Sequence, residues 1–122
     1  MCVWDPRRPA RPVRMVRAHA HWVWAAAFNP VHGDLIASAS SDTLVGLWHL
    51  PAKAEGQDGE HGGAGAGVED GVAPEATFDD HEDSVYAVAW SAADPWLLAS
   101  LSHDGRVACH RVSDDVKYKV LL

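Results

Sequence analysis

The sequence predicts an all-β protein built from small antiparallel sheets, and two observations carry that prediction. The first is an ungapped internal repeat. Residues 19–50 (HAHWVWAAAFNPVHGDLIASASSDTLVGLWHL) align on residues 81–112 (HEDSVYAVAWSAADPWLLASLSHDGRVACHRV) at a constant offset of 62. Ten of the 32 aligned positions are identical, among them His19/His81, Ser38/Ser100 and Asp42/Asp104, which makes the stretches copies of one supersecondary unit. Such copies bury their faces against each other rather than alone. The second observation is that each copy divides into short runs of strand length separated by turn residues.

In chain order, Trp22–Phe28 and Ser84–Trp90 are apolar runs rich in Val and aromatic residues and read as first strands. Leu35–Ala39 and Trp96–Leu101 read as second strands, Leu44–His49 and Arg106–Val112 as third strands. Asn29-Pro30 with His32-Gly33-Asp34, and Ala93-Asp94-Pro95, are turn signals between first and second strands. Ser41-Asp42-Thr43 and His103-Asp104-Gly105 separate second from third, Asp-Gly being a strong tight-turn pair. A fourth strand is expected before each unit, at Val13–Val16 and Ala76–Phe78, and Val116–Leu122 is expected to add a C-terminal strand. Apolar residues on both faces of the first strands point to sheets covered on both sides. A two-sheet sandwich uses the same strand signals, but its strands do not come as ungapped copies. Radially stacked four-stranded sheets, a β-propeller, do.

Ring closure takes about four to eight such blades. The chain is therefore expected to hold two four-stranded blades plus part of a preceding one, as a fragment of a larger ring that would be insoluble or oligomeric alone. The expected organisation is residues 1–18 as the end of a preceding blade and an outer strand, 19–50 as one repeat, 51–76 as an insertion, and 77–122 as a last repeat with its C-terminal strand. The insertion is rich in Gly, Ala and acid without periodicity and is expected to be a disordered loop, tolerated because lengthening a loop costs little.

Charge and cysteines remove several function classes. The net charge is −7, but residues 51–83 alone carry ten acids against Lys53, which leaves the repeats near neutrality. The loose basic stretch Arg7, Arg8, Arg11, Arg14 and Arg17 lacks the clustering that nucleic-acid binding needs. Cys2 and Cys109 have no metal-type spacing and read as unpaired thiols of a reduced, cytoplasmic protein. No apolar run is long enough to span a bilayer, and no signal peptide opens the chain, so membrane association is expected only through partners.

His19, Ser38, Asp42 and Trp48 fall on an entry loop, a second strand, a turn and a third strand. At those places Asp42 can accept from His19, His19 can bond Ser38, and Ser38 can bond the Trp48 indole N–H. Breaking such a buried chain leaves a polar group unpaired at a cost of about 1–3 kcal/mol. In this composition and spacing the chain resembles the WD-repeat β-propeller family, whose structural tetrad it matches, and Val3-Trp4-Asp5 looks like the Trp-Asp end of a preceding unit. Two departures stand out: His49 follows Trp48 where the family has Asp, and the second unit has His110-Arg111 in place of Trp-Asp. Its set is thus His81, Ser100, Asp104 and His110.

Within that family, HAHWVW, HEDSVYAVAW, SAADPWLLASLSHDGRV and the ending KYKVLL are similar to a branch of non-enzymatic adaptors. That similarity implies protein partners, vesicle-tethering complexes of the EARP and GARP type. It also implies a role in endosomal recycling and endosome-to-Golgi retrograde transport, peripheral at endosomes or the trans-Golgi network. It implies no cofactor and no small-molecule substrate. The family's recognition rim maps onto Trp22, Trp24 and Ser41, then Ser84, Tyr86 and His103. Packing of Trp22 or Trp24 between blades is the open alternative.

Trp4-Asp5-Pro6-Arg7 also fits a short Trp-Asp-x-Arg pattern of propellers that act as substrate receptors of cullin-type ubiquitin ligases. A scaffold without a dedicated ligand is the third reading. Ser, His and Asp invite a hydrolase reading, but their spacing puts them inside a sheet rather than on an elbow that exposes a nucleophile. The pair His19-x-His21 invites a metal reading, but His19 is already committed to the hydrogen-bonded chain.

Overall fold

A computed structural model describes residues 1–7, 10, 14–51 and 73–122. Arg8, Arg11 and Val13, and residues 52–72 of the expected insertion, lie outside the described residues. Two compact units are present. In the N-terminal unit, strand β1 (Cys2–Val3) pairs antiparallel with β2 (Arg14–Met15), Cys2 opposite Met15. The Met1 and Val16 backbones close this ribbon, bonding each other in both directions at 2.8 Å.

The larger unit, Ala18–Pro51 with Ala73–Leu122, contains both repeats. Its first sheet has the order β3 (Val23–Phe28), β4 (Leu35–Ser40), β5 (Val45–His49), β6 (Ala76–Phe78), and its second β7 (Val85–Trp90), β8 (Leu97–Ser102), β9 (Val107–Arg111). Every neighbouring pair is antiparallel. The strand that precedes the second repeat, β6, therefore completes the first sheet. The second sheet holds three strands among the described residues, not the expected four.

The segment expected as a C-terminal strand is instead helix α1 (Asp114–Leu121). Val116, Tyr118 and Val120 alternate with lysines, a period that suits a strand, but Val116 and Val120 also lie one helical turn apart. The helix buries Val116 and packs Val120 on the core while leaving Tyr118 exposed, with Asp114 and Asp115 in its first turn where negative charge suits the dipole. The core joins the facing sides of the two sheets: Leu35, Ala37, Ala39, Val45 and Leu47 meet Val85, Leu98 and Val112, with Trp90 and Trp96 at its margin.

Turn chemistry holds the two repeats in the same shape. Asn29 Oδ1 accepts the amides of Val31 and His32, and Ser91 Oγ at the equivalent position accepts those of Ala93 and Asp94. Asn29 Nδ2 also donates to the Pro95 carbonyl at 2.6 Å, and His32 stacks on Trp96 at 4.6 Å, which ties the first repeat's turn to the second's.

Candidate functional site

Two features of the larger unit are built well enough to act as sites: a pair of buried hydrogen-bonded chains and an exposed aromatic edge. In the first chain, His19 Nδ1 lies 2.9 Å from Asp42 Oδ2 and His19 Nε2 lies 2.7 Å from Ser38 Oγ. The Trp48 indole donates to the same hydroxyl at 2.9 Å. In the second chain, His81 contacts Asp104 at 3.1 Å and Ser100 at 2.7 Å, and His110 Nε2 meets Ser100 Oγ at 2.7 Å. Each chain runs from a turn, through a second strand, to a third strand.

The turns that carry the acids are set by short local bonds. Asp42 Oδ1 accepts the Leu44 amide and Asp104 Oδ1 that of Arg106, while Ser40 and Ser102 accept the amides of Asp42 and Asp104. Burial of the Asp104 carboxyl opposes its charge. The amides of Glu82 and Arg106 and the His81 ring nevertheless hold its pKa below the ordinary carboxylate value. Ser38 and Ser100 are buried and each is bonded on two sides, so neither hydroxyl presents itself to a substrate. His19 spends both ring nitrogens on this chain, and His21 is exposed beside it.

Three participants carry no sequence signal strong enough to single them out. Asp80 Oδ2 lies 3.2 Å from His110 Nδ1, an ion-pair contact at the end of the second chain. Phe78 stacks on the other side of the same imidazole at 4.4 Å. Burial pushes the His110 pKa below that of a free imidazole; Asp80 pulls against this and His81 adds to it. Gly46 is the third: a Cβ there would stand 2.7 Å from Trp48 Nε1 and 3.1 Å from Ser38 Oγ, so only glycine lets the indole reach the hydroxyl. The equivalent position in the second repeat is Ala108, opposite the smaller His110 ring. The aligned pairs Gly46/Ala108 and Trp48/His110 were the available clue.

The aromatic edge arises from two β-bulges at equivalent places. Pairing between β3 and β4 slips between Val23 and Ala25, and between β7 and β8 it slips between Val85 and Ala87. The extra residues are Trp24 and Tyr86, and a bulge of this kind re-aims the side chain it carries. Trp22 is 74% exposed, Trp24 52% and Tyr86 39%. Trp22 and Trp24 meet edge to face at 5.7 Å, and the Trp24 indole donates to Ser41 Oγ. Tyr86 lies against His103 at 4.7 Å, and Ser84 Oγ donates to the Ser41 carbonyl at 3.5 Å. Backbone bonds from Ser41 to Trp22 and from His103 to Ser84 fix the two halves of the edge. The structure thus places Trp22, Trp24, Ser41, Ser84, Tyr86 and His103 along one connected edge.

In the N-terminal unit, Trp4 is exposed, and the Arg7 guanidinium is folded back on Asp5 through Nε at 3.1 Å and Nη2 at 2.9 Å. Among the described residues no helix is long and apolar enough to cross a membrane.

Comparison with known proteins agrees with this geometry. The model of the "WD domain, G-beta repeat" family matches residues 10–49 and 73–110. An EARP-interacting protein homolog of Gekko japonicus is 41% identical over 98% of this chain and 34% of its own length. The EARP and GARP complex-interacting protein 1 of Homo sapiens is 40% identical over the same shares, so the chain spans about a third of these relatives. Among solved structures, the WD40 domain of Toxoplasma gondii coronin superposes with a TM-score of 0.66 at 27% identity, covering 83% of this chain and 23% of that one. These likenesses explain the paired sheets as blades of a β-propeller, and the chain belongs to the WD domain, G-beta repeat family.

Proposed function

We propose that this chain supplies a protein-binding edge to a non-enzymatic adaptor for vesicle-tethering complexes of the EARP and GARP type. Its role is in endosomal recycling and endosome-to-Golgi retrograde transport, and its place is cytoplasmic, peripheral at endosomes or the trans-Golgi network. The partner class is taken from relatives named for interacting with the EARP and GARP complexes. The observation that carries the reading is the exposed aromatic edge, because Trp and Tyr held rigid at a surface are the side chains richest in binding energy. Two bulges keep these rings out of the core at equivalent places in both repeats, an arrangement that packing alone does not require.

The test is capture of tethering-complex subunits by the protein carrying Trp22→Ala together with Tyr86→Ala. Loss of both anchors is expected to weaken capture about thirtyfold, the equivalent of roughly 2 kcal/mol for a hot-spot pair, while circular dichroism shows the sheets intact. Capture at the unaltered level by a folded double variant removes the reading.

A further inference from the structure

The joint between the two sheets of the larger unit has two halves, and the repeat copies both of them. One half is the face of the first sheet formed by Leu35, Ala37, Ala39, Val45 and Leu47, all fully buried. The other half is the facing side of β7, where Val85, Val88 and Trp90 pack on that core. At the offset of 62, the first half recurs as Leu97, Ala99, Leu101, Val107 and Cys109 on the far side of the second sheet. The second half recurs as Val23, Ala26 and Phe28 on the far side of the first. Both copies lie open. Leu97, Ala99 and Leu101 are partly exposed and Val107 is 65% exposed, while Val23 is 37% and Phe28 56% exposed.

We propose that the chain docks head to tail with a second copy of itself, the β3 face of one molecule covering the outer face of the second sheet of the next. The copied halves identify the occupant: each open face matches, position for position, a face already covered inside the same molecule. Such a contact joins unlike surfaces, so successive copies share one rotation and close into a ring when that rotation completes a circle. A closed ring holds about four to eight blades and each copy brings two, so closure takes about two to four chains. The polar fastenings are not copied with the apolar faces, which makes this joint weaker than the internal one. The Trp90 indole donates to the Ala27 carbonyl at 3.0 Å, but the aligned residue is Phe28, which has no donor. Asn29 Nδ2 donates to the Pro95 carbonyl, but Ser91 stands at the aligned place. Where His32 stacks on Trp96, the aligned residues are Asp94 and Asp34, two acids each paired with a cationic or imidazole partner, Arg111 and His49. The association is therefore reversible and depends on concentration.

The test is the mass of the full chain in solution, followed by sedimentation velocity over a wide range of concentration. The mass is expected to rise from one chain to a plateau at about two to four chains. Phe28→Asp and Val107→Asp each set a charge on one of the two exposed faces. Each variant alone is expected to stay a single chain, with circular dichroism showing the sheets intact. Mixed, the two are expected to form pairs and nothing larger, because each retains the half that the other lacks. Phe28→Trp together with Ser91→Asn supplies both missing donors and is expected to tighten association about tenfold or more, the scale of two modest hydrogen bonds. Ser91→Asn keeps the turn, since Asn29 Oδ1 accepts the same pair of amides in the first repeat. An unaltered chain that stays single at every concentration leaves these faces to another partner and overturns the proposal. So does a single-face variant that still associates alone, a mixture that fails to pair, or a mass that grows without a plateau.

Discussion

Strand β4 is buried at every position, whereas its copy β8 buries every second residue and leaves Leu97, Ala99 and Leu101 partly exposed. The third strands repeat the contrast, β5 being mostly buried and β9 mostly not, whereas the first strands reverse it, β3 being more exposed than β7. Among the described residues the first sheet has four strands and a Trp at the end of its hydrogen-bonded chain, the second three strands and a His. What the pair teaches is how one scaffold absorbs a large substitution. Replacing an indole by an imidazole removes an obligatory donor and a good deal of packing area. The second repeat answers with Phe78 stacked on the ring, Asp80 at its free nitrogen, and a methyl group at Ala108 where the first repeat has none. Beyond β9, helix α1 and Val112 extend the core next to Trp96, with Lys117 Nζ 5.8 Å above that ring.

The largest effect is expected where the indole leaves no room. Gly46→Ala drives a methyl group to within 2.7 Å of Trp48 Nε1, and the cost is expected to be about 1–3 kcal/mol, typical of overpacking in a core. If the steric conflict is the cause, Gly46→Ala should cost much less in a Trp48→His background, where the first repeat takes on the second's composition. The coupling between the two changes, read from urea unfolding followed by circular dichroism, should be about 1 kcal/mol or more. Strict additivity would show that Gly46 serves the strand backbone and not the indole. The reciprocal pair, Ala108→Gly with His110→Trp, asks whether the second sheet can be turned back into the first.

A smaller and pH-dependent difference separates the sheets on acidification. The folded His110 pKa lies below 6.5, so the unfolded chain takes up the proton first and the folded sheet loses stability as pH falls through that region. Above pH about 6.5 the contribution is fully present. Amide exchange in β9 should therefore accelerate relative to β5 between pH 7 and 5, since β5 carries the non-titrating Trp48 at the place where β9 carries His110. Asp80→Ala should make the loss steeper, because it removes the charge that pulls the His110 pKa upward. Equal protection in β5 and β9 across that range would show that burial of His110 carries no linkage.

Much of this was legible in the residues, for a physical reason. Strand limits followed from runs of apolar residues bounded by turn chemistry: Leu35–Ala39 was the expected second strand and β4 is Leu35–Ser40, while Arg106–Val112 contains β9. The spacing that brings His19, Ser38, Asp42 and Trp48 to one line also rests on fixed element lengths, which a sequence displays. What stayed hidden depends on register and on space. The bulges at Trp24 and Tyr86 exist only once two strands are paired. Asp80 reaches His110 from a linker with no regular offset, and Val116, Tyr118 and Val120 fit a strand or a helix until the core selects the helix.

The smallest expected effect concerns one backbone angle. At equivalent places in the two β-turns, Thr43 has φ 74° and Gly105 φ 79°, the left-handed region. Glycine reaches that region freely, whereas a side chain pays about 1–2 kcal/mol there, and a β-branched one has the least room. The first repeat thus keeps a strained residue where the second keeps a relaxed one. Thr43→Gly relieves the strain but adds about 0.5–1 kcal/mol of unfolded-chain entropy, so the net gain should be only about 0.5–1 kcal/mol. Gly105→Thr should destabilise by a similar or larger amount, since nothing within 4 Å of the added Cβ helps to hold it. Thermal unfolding of both variants decides the matter: a Thr43→Gly protein that melts lower than the parent would mean the Thr43 side chain contributes more than its backbone costs.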